Sequence, residues 1–164
     1  VAGAVVQPSA VYGPHGSSAA MFNTMALMPV LALPDHAPLQ LPLGTACLAW
    51  DGSSEAARAL KAAVPLLTAA REVVVLTVAR DKADGFPGTE ALRYLARHGV
   101  KAELVELTCG NSTEETIAAE LVRIDAALLV MGAYGHSRLR EFLFGGVTRF
   151  FLDELSAPPL LIAH

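Results

Sequence analysis

From residue 46 onward the chain alternates between short apolar runs and longer stretches in which apolar residues recur every three or four positions. Residues 46–50, 73–78, 102–107, 126–131 and 159–163 are mostly rich in Val, Leu or Ile. Runs of this length read as strands rather than helices. Between them, Ala57, Leu60, Val64 and Leu67 share one face of a first helix, with a kink expected at Pro65. Leu92 and Leu95 mark a short second helix closed by Gly99. Ser112 and Glu115 form an S-x-x-E capping box ahead of Ile117, Leu121 and Ile124, the apolar face of a third. Val147, Phe150, Phe151 and Leu155 give a fourth, which Pro158 stops.

Strands that alternate with helices in this way predict an α/β fold: an open parallel five-stranded sheet with right-handed crossovers and helices on both faces. Glu103 and Glu106 interrupt the run at 102–107, which suggests an edge strand with one wetter face. Ligands of such sheets bind beyond the carboxyl ends of the strands, where strand order reverses. The places to look are therefore just after Trp50, Val78 and Met131.

Residues 1–45 follow a different plan. A strand fragment at 4–6, a helix at 17–28 and a strand at 29–33 precede a proline-rich stretch at 34–43 that reads as a linker. The layout repeats the carboxyl-terminal strand, helix and strand of the chain, with Met28-Pro29-Val30-Leu31-Ala32 standing beside Pro158-Pro159-Leu160-Leu161-Ile162. Residues 1–34 thus read as the remnant of a preceding related unit, 35–45 as the linker and 46–164 as a complete domain.

Composition narrows the function classes. The chain of 164 residues is 53% hydrophobic and 17% charged, which excludes a disordered polymer. Its richest apolar stretches, 25–33 and 126–131, fall short of the roughly 18 residues of a membrane span. With 12 Lys and Arg against 16 Asp and Glu, the net charge of −4 offers no footprint for nucleic acid or an anionic membrane. So apolar a chain implies strands buried on both faces and an oligomer surface. The two cysteines, Cys47 and Cys109, lie far apart without metal-ligand spacing and read as reduced thiols of a cytoplasmic protein, Cys47 in the core. No basic segment marks residues 1–10 as a secretory signal.

Two segments carry candidate chemistry. Trp50-Asp51-Gly52-Ser53-Ser54 joins the first strand to the first helix. Met131-Gly132-Ala133-Tyr134-Gly135-His136-Ser137-Arg138 follows the fourth strand and runs on to Phe144-Gly145-Gly146-Val147-Thr148. Glycines after a strand let the backbone approach a ligand, and a helix opening after Gly145 offers free N–H groups and a positive dipole end to a phosphate. The pair suggests a nucleotide site, with phosphates against Gly135 and Gly145–Thr148 and the nucleoside near Asp51 and Val78. Asp51 reads equally as a turn residue or a helix cap, and Ser53 as a cap. His136, Arg138 and Arg140 lie in the same block, as phosphate contacts or as solvated loop residues. Neither a P-loop nor a G-x-G-x-x-G is present. No acid–base pair, metal cluster or activated nucleophile marks an enzyme.

The spacing G-x2-G-x9-G, realised by Gly132, Gly135 and Gly145, together with Trp50-Asp51-Gly52-Ser53, resembles the nucleotide-binding signature of the universal stress protein family. The resemblance covers residue 46 to the end, and residues 1–45 look like the tail of the first unit of a tandem member with its linker. It implies a flavodoxin-like sheet, of the adenine nucleotide α-hydrolase type, that holds ATP, with its Mg ion, and scarcely turns it over. Carried over by position, Asp51 contacts the nucleoside and Val78 the adenine. Met131, Gly132 and Gly135 line the site, and Gly145, Gly146, Val147 and Thr148 cradle the phosphates. It also implies pairing of the last strands across a dimer or pseudo-dimer axis, so that residues 29–33 pair with 159–163 as a homodimer or an intramolecular pseudo-dimer. One position departs: Gly146 stands where ATP-binding members usually carry Ser or Thr, removing a hydroxyl worth about 0.5–1.5 kcal/mol to a phosphate. Trp50 is bulky enough to narrow the nucleoside pocket. After the first strand, Gln7-Pro8-Ser9 opens a stretch with no G-x2-G-x9-G, so residues 1–34 are expected to be structural. Two functions follow: an ATP-binding regulator of the stress response, or a module that has lost ATP and acts through dimerisation.

Overall fold

Alternation with a period of two sets the layering of the molecule. In strand β4 (Ala70–Ala79), Val73 and Val75 join one apolar cluster while Val74 and Leu76 join another, and all four are buried. A strand that buries both faces lies inside a sheet covered on both sides. The computed structural model describes residues 4–6, 29–34, 38–79, 85–133, 146–153 and 157–164. Within it, β3 (Leu43–Ala49) and β6 (Ala126–Gly132) divide in the same way. Ala46, Leu48, Leu128 and Val130 enter the first cluster, and Cys47, Leu129 and Met131 the second.

Among the described residues, two helices cover each face. Helix α1 (Ser54–Ala69) buries Ala56, Ala59, Leu60, Ala63 and Leu67, and α2 (Gly88–Arg97) buries Ala91 and Leu95, all in the first cluster. Helix α3 (Thr113–Arg123) contributes Ile117 and Leu121 to the second cluster, and α4 (Gly146–Asp153) contributes Phe151. Each fully buried leucine stabilises the layer by roughly 1.5–3 kcal/mol. Helix α1 runs through Pro65 without ending. The predicted end of the second helix and start of the third hold, while Leu155, expected in the fourth, lies outside the described residues. The Gly99 and Val100 amides close α2 on the Ala96 and Leu95 carbonyls, and Ser112 Oγ accepts from the Glu115 amide at 3.1 Å to begin α3.

With β1 (Ala4–Val6), β2 (Val30–Ala32), β5 (Glu103–Thr108) and β7 (Leu160–Ala163), the strand order is β1-β2-β7-β6-β3-β4-β5. The five strands from β7 to β5 are parallel, and β5 forms the edge that Glu103 and Glu106 announce. The amino-terminal strands are not a separate appendage, since they extend the same sheet to seven strands. Strand β1 pairs with β2 in parallel, and β2 pairs with β7 antiparallel, Val30 opposite Ile162, Leu31 opposite Leu161 and Ala32 opposite Leu160. The expected helix at 17–28 lies outside the described residues.

Two boundaries differ from those expected from the sequence. Strand β3 begins at Leu43, inside the stretch read as linker, because Leu43 and Thr45 are buried beneath the helices while Gly44 and Thr45 break the apolar run. Strand β4 begins at Ala70, immediately after α1, with Arg71 and Glu72 exposed ahead of the buried valines. Cys47 is fully buried, and that burial, with a smaller effect from the Glu120 carboxylate, pushes its thiol far above the ordinary range and keeps it protonated. Among the described residues no helix is long and apolar enough to cross a membrane.

From β3 the chain builds outward through β4 to β5, then returns to place β6 and β7 on the other side of β3. Strand order therefore reverses between β3 and β6, and their carboxyl ends frame the crevice where ligands of open α/β sheets bind.

Candidate functional site

The β3 side of this crevice is a turn held by its own side chains. The Trp50 amide donates to the Leu76 carbonyl at 2.8 Å, extending the β3–β4 ladder by one residue. Gly52 then takes φ +78°, a conformation that side chains disfavour. Asp51 Oδ1 accepts from the Ser53 amide at 3.0 Å and from Ser53 Oγ at 2.6 Å. Ser53 Oγ in turn accepts from the Ala56 amide at 3.1 Å, as the N-cap of α1. Asp51 is exposed while Gly52 and Ser53 are buried. Asp51 thus fixes the first turn of α1 and still presents a carboxylate to solvent.

The β6 side meets the same helix start. A Cβ on Gly132 would lie 2.5 Å from the Ala56 amide nitrogen and 2.7 Å from the Glu55 carbonyl carbon. Only glycine lets the end of β6 reach the first turn of α1, so Asp51, Ser53 and Gly132 converge on one helix N-terminus. Beyond it, the Ala133 amide donates to the Ala163 carbonyl at 2.8 Å, and the His164 ring nitrogen Nδ1 donates to the Ala133 carbonyl at 3.0 Å. These bonds pin the ends of β6 and β7 together.

The remaining predicted residues divide. Met131 is buried on the α3–α4 face, so it meets a ligand at most through its backbone. Val78 is partly buried on the same face near the end of β4. Gly146 opens α4, and Val147 packs on the cluster that holds Met131, Ala133 and Phe151. Thr148 is buried at 4% exposure, and among the described residues its hydroxyl has no hydrogen-bond partner. Gly135, His136, Arg138, Arg140 and Gly145 lie outside the described residues. Among the described residues no group of three or more His, Cys, Asp or Glu side chains could hold a metal ion.

Trp50 does not fill the crevice with its ring. At 7% exposure it is part of the α1–α2 core cluster, and its indole Nε1 donates to the Phe86 carbonyl at 2.8 Å. The Phe86 amide donates to the Gly52 carbonyl at 3.1 Å. A Cβ on Gly52 would lie 2.5 Å from both the nitrogen and the oxygen of Phe86, and one on Gly85 would lie 2.8 Å from the Asp51 carbonyl. Residues 85–86 therefore lie directly on the turn that carries Asp51. Sequence reasoning missed them: the contact spans 36 positions, and only the tryptophan at a strand end hinted that a partner was needed.

A family model described as the universal stress protein family matches residues 44–163. No curated protein sequence matches the chain significantly. Among solved structures, universal stress protein UspA from Lactobacillus plantarum has 17% identity and a TM-score of 0.60, over 74% of this chain and 98% of that one. A universal stress protein family member from Arabidopsis thaliana, solved with AMP bound, has 18% identity and a TM-score of 0.50, over 71% and 88%. A universal stress protein candidate from Pseudomonas aeruginosa UCBPP-PA14 has 17% identity and a TM-score of 0.58, over 98% of this chain but 62% of that one. At these identities the structures speak for the fold alone, while the family model extends over most of the chain. The sheet whose order reverses at Asp51 and Gly132 is the sheet of a universal stress protein, and the chain belongs to that family.

Proposed function

We propose that this module is a cytoplasmic, nucleotide-binding regulator of the stress response that binds ATP or AMP and does not turn it over. One observation carries the reading: Asp51 and Gly132 meet on the first turn of α1, at the point where strand order reverses. In this reading the exposed Asp51 carboxylate accepts a hydroxyl or amino proton of the nucleoside, and Val78 and Met131 border the base. Gly132, Gly135 and Gly145 give the phosphates room, and the amides of Gly146, Val147 and Thr148, with the Thr148 hydroxyl, bind them at the start of α4. What supports a phosphate end at α4 is the buried Thr148 hydroxyl, without a hydrogen-bond partner among the described residues, in the first turn of that helix. Any Mg ion arrives on the triphosphate. The AMP in the Arabidopsis neighbour supports the ligand class.

The proposal extends to the amino-terminal strands. Residues 1–34 are read as the remnant of a preceding unit, and the linker expected at 35–45 yields residues 43–45 to β3, so that the complete domain runs from 43 to 164. Strand β1 stands beside β2 as β6 stands beside β7, and the antiparallel β2–β7 pair is the seam between the two halves. The Pseudomonas structure, matched along 98% of this chain, supports that organisation. Because β7 already has β6 on one edge and β2 on the other, the reading favours an intramolecular pseudo-dimer over a homodimer through β7.

Gly146 and this occupied seam favour one second reading, a module without ATP that acts through its protein contacts. Calorimetric titration of the nucleotide-stripped protein with Mg-ATP, alongside a phosphate-release assay, separates the two. Saturable binding without turnover above an Asp51→Ala background is the expected result. A folded protein that gives no heat up to millimolar nucleotide would leave the protein-contact reading in place.

A further inference from the structure

Among the described residues three large apolar side chains stand open to solvent: Leu41, Phe86 and Val122. Single exposed apolar residues are ordinary on a protein surface. Phe86 differs in what holds it. The residue is 69% exposed, yet both its backbone polar groups are bound to the turn that carries Asp51. Its amide donates to the Gly52 carbonyl, and its carbonyl accepts from the buried Trp50 indole. Gly85 before it lies against the Asp51 carbonyl, and Pro87 after it is the N-cap of α2, with φ −62°. The ring is thus attached to a backbone with little freedom, at the carboxyl end of the sheet, beside the proposed nucleoside contact.

We propose that Phe86 is the base-stacking residue of the nucleotide site, offering its face to a purine whose ribose or amino group meets Asp51. The inference rests on the nucleotide-binding reading and adds what selects the base. Flat aromatic surfaces stack with every base, and a ring already fixed in place loses little conformational entropy when it does so. Glycine at 52 and 85 and tryptophan at 50 then have one shared purpose, to seat this residue on the turn. Stacking acts on the base and leaves recognition of the phosphates to the start of α4.

The test compares wild type, Phe86→Ala and Phe86→Tyr, each titrated by calorimetry with AMP and separately with inorganic tripolyphosphate. Because the ring is exposed, Phe86→Ala leaves the fold intact, which the emission of Trp50, the single tryptophan, verifies in the free protein. Phe86→Ala is expected to raise the AMP dissociation constant about 5- to 10-fold. Tripolyphosphate binding stays unchanged, and Phe86→Tyr restores AMP affinity to within about twofold, since tyrosine keeps the aromatic face. Equal AMP affinity in wild type and Phe86→Ala overturns the stacking role while leaving the nucleotide site standing. Parallel loss of AMP and tripolyphosphate binding also overturns it, by showing that the residue only supports the turn. A wild-type protein that binds no AMP overturns the nucleotide reading and the stacking role together.

Discussion

The two corners of the proposed site are built on opposite principles. On the β3 side, the described bonds of Asp51 and Ser53 close on one another, and Gly52, Gly85, Phe86 and Trp50 interlock around them. On the other side, α4 starts at Gly146, and the buried Thr148 hydroxyl is unbonded among the described residues. One corner is a finished structural joint that also shows a carboxylate. The other holds a buried hydroxyl with no partner among the described residues, a state that costs about 1–3 kcal/mol while it lasts. The contrast teaches that residues grouped as one binding motif can play separate parts. Gly132 and Asp51 join the sheet to the first turn of α1, whereas in the proposed site Gly146 to Thr148 are the residues that meet the ligand.

The sharpest way to break this division is Gly132→Ala. If Gly132 is a joint, the methyl group overlaps Ala56 and Glu55, and the protein loses roughly 2–3 kcal/mol in urea denaturation without any nucleotide. Unchanged stability with lost ATP affinity would move Gly132 to the ligand side. Asp51→Ala is expected to cost about 1–2 kcal/mol in the same assay, because the bonds from the Ser53 amide and hydroxyl go unmade. Asp51→Asn, which keeps an acceptor, should recover most of that stability. At the opposite corner, Gly146→Ser should leave stability nearly unchanged and tighten ATP binding about 2- to 10-fold by calorimetry, one added hydroxyl bond being worth about 0.5–1.5 kcal/mol.

The smallest effect belongs to a carboxylate remote from both corners. Arg123 donates to both oxygens of Glu120 at 2.7 and 2.6 Å, and these bonds hold the Glu120 carboxyl below its usual 4.5. A carboxyl depressed in the folded state contributes stability above its unfolded value, and loses it as pH falls from about 4.5 through the lower folded value. The Arg123 side chain is 65% exposed, so screening keeps the contribution small. Glu120→Gln should flatten the slope of stability against pH in that acid range and leave neutral-pH nucleotide affinity alone, as urea titrations at several pH values would show.

Much of this architecture was legible because it is local. The valines of β4, the capping serine at 112 and the glutamates of β5 each declare their environment within a few residues of sequence. The β2–β7 pair was legible through the family resemblance: the chain writes a similar Pro-Val-Leu-Ala and Pro-Leu-Leu-Ile segment twice, and the resemblance implies that such last strands pair across a seam. Leu43 was hidden because glycine and threonine interrupt the hydrophobic run at the strand's first residues, where tertiary burial rather than propensity decides. The position of the crevice followed from strand order, but the separate roles of its residues did not. A glycine that admits a phosphate and a glycine that admits a helix look alike in sequence. The Trp50–Phe86 bond joins segments 36 residues apart, with no periodicity to announce it.

The central claim is that a nucleotide lies between these two corners, with its base toward Asp51 and its phosphates toward Gly146–Thr148. Backbone amide shifts recorded on the labelled protein during titration with AMP test it most directly. Saturable changes confined to residues 50–53, 78–79, 85–86, 131–133 and 146–148 are expected, with the β2–β7 seam silent. Changes centred on the seam, or on the α2 and α3 surfaces, would contradict it.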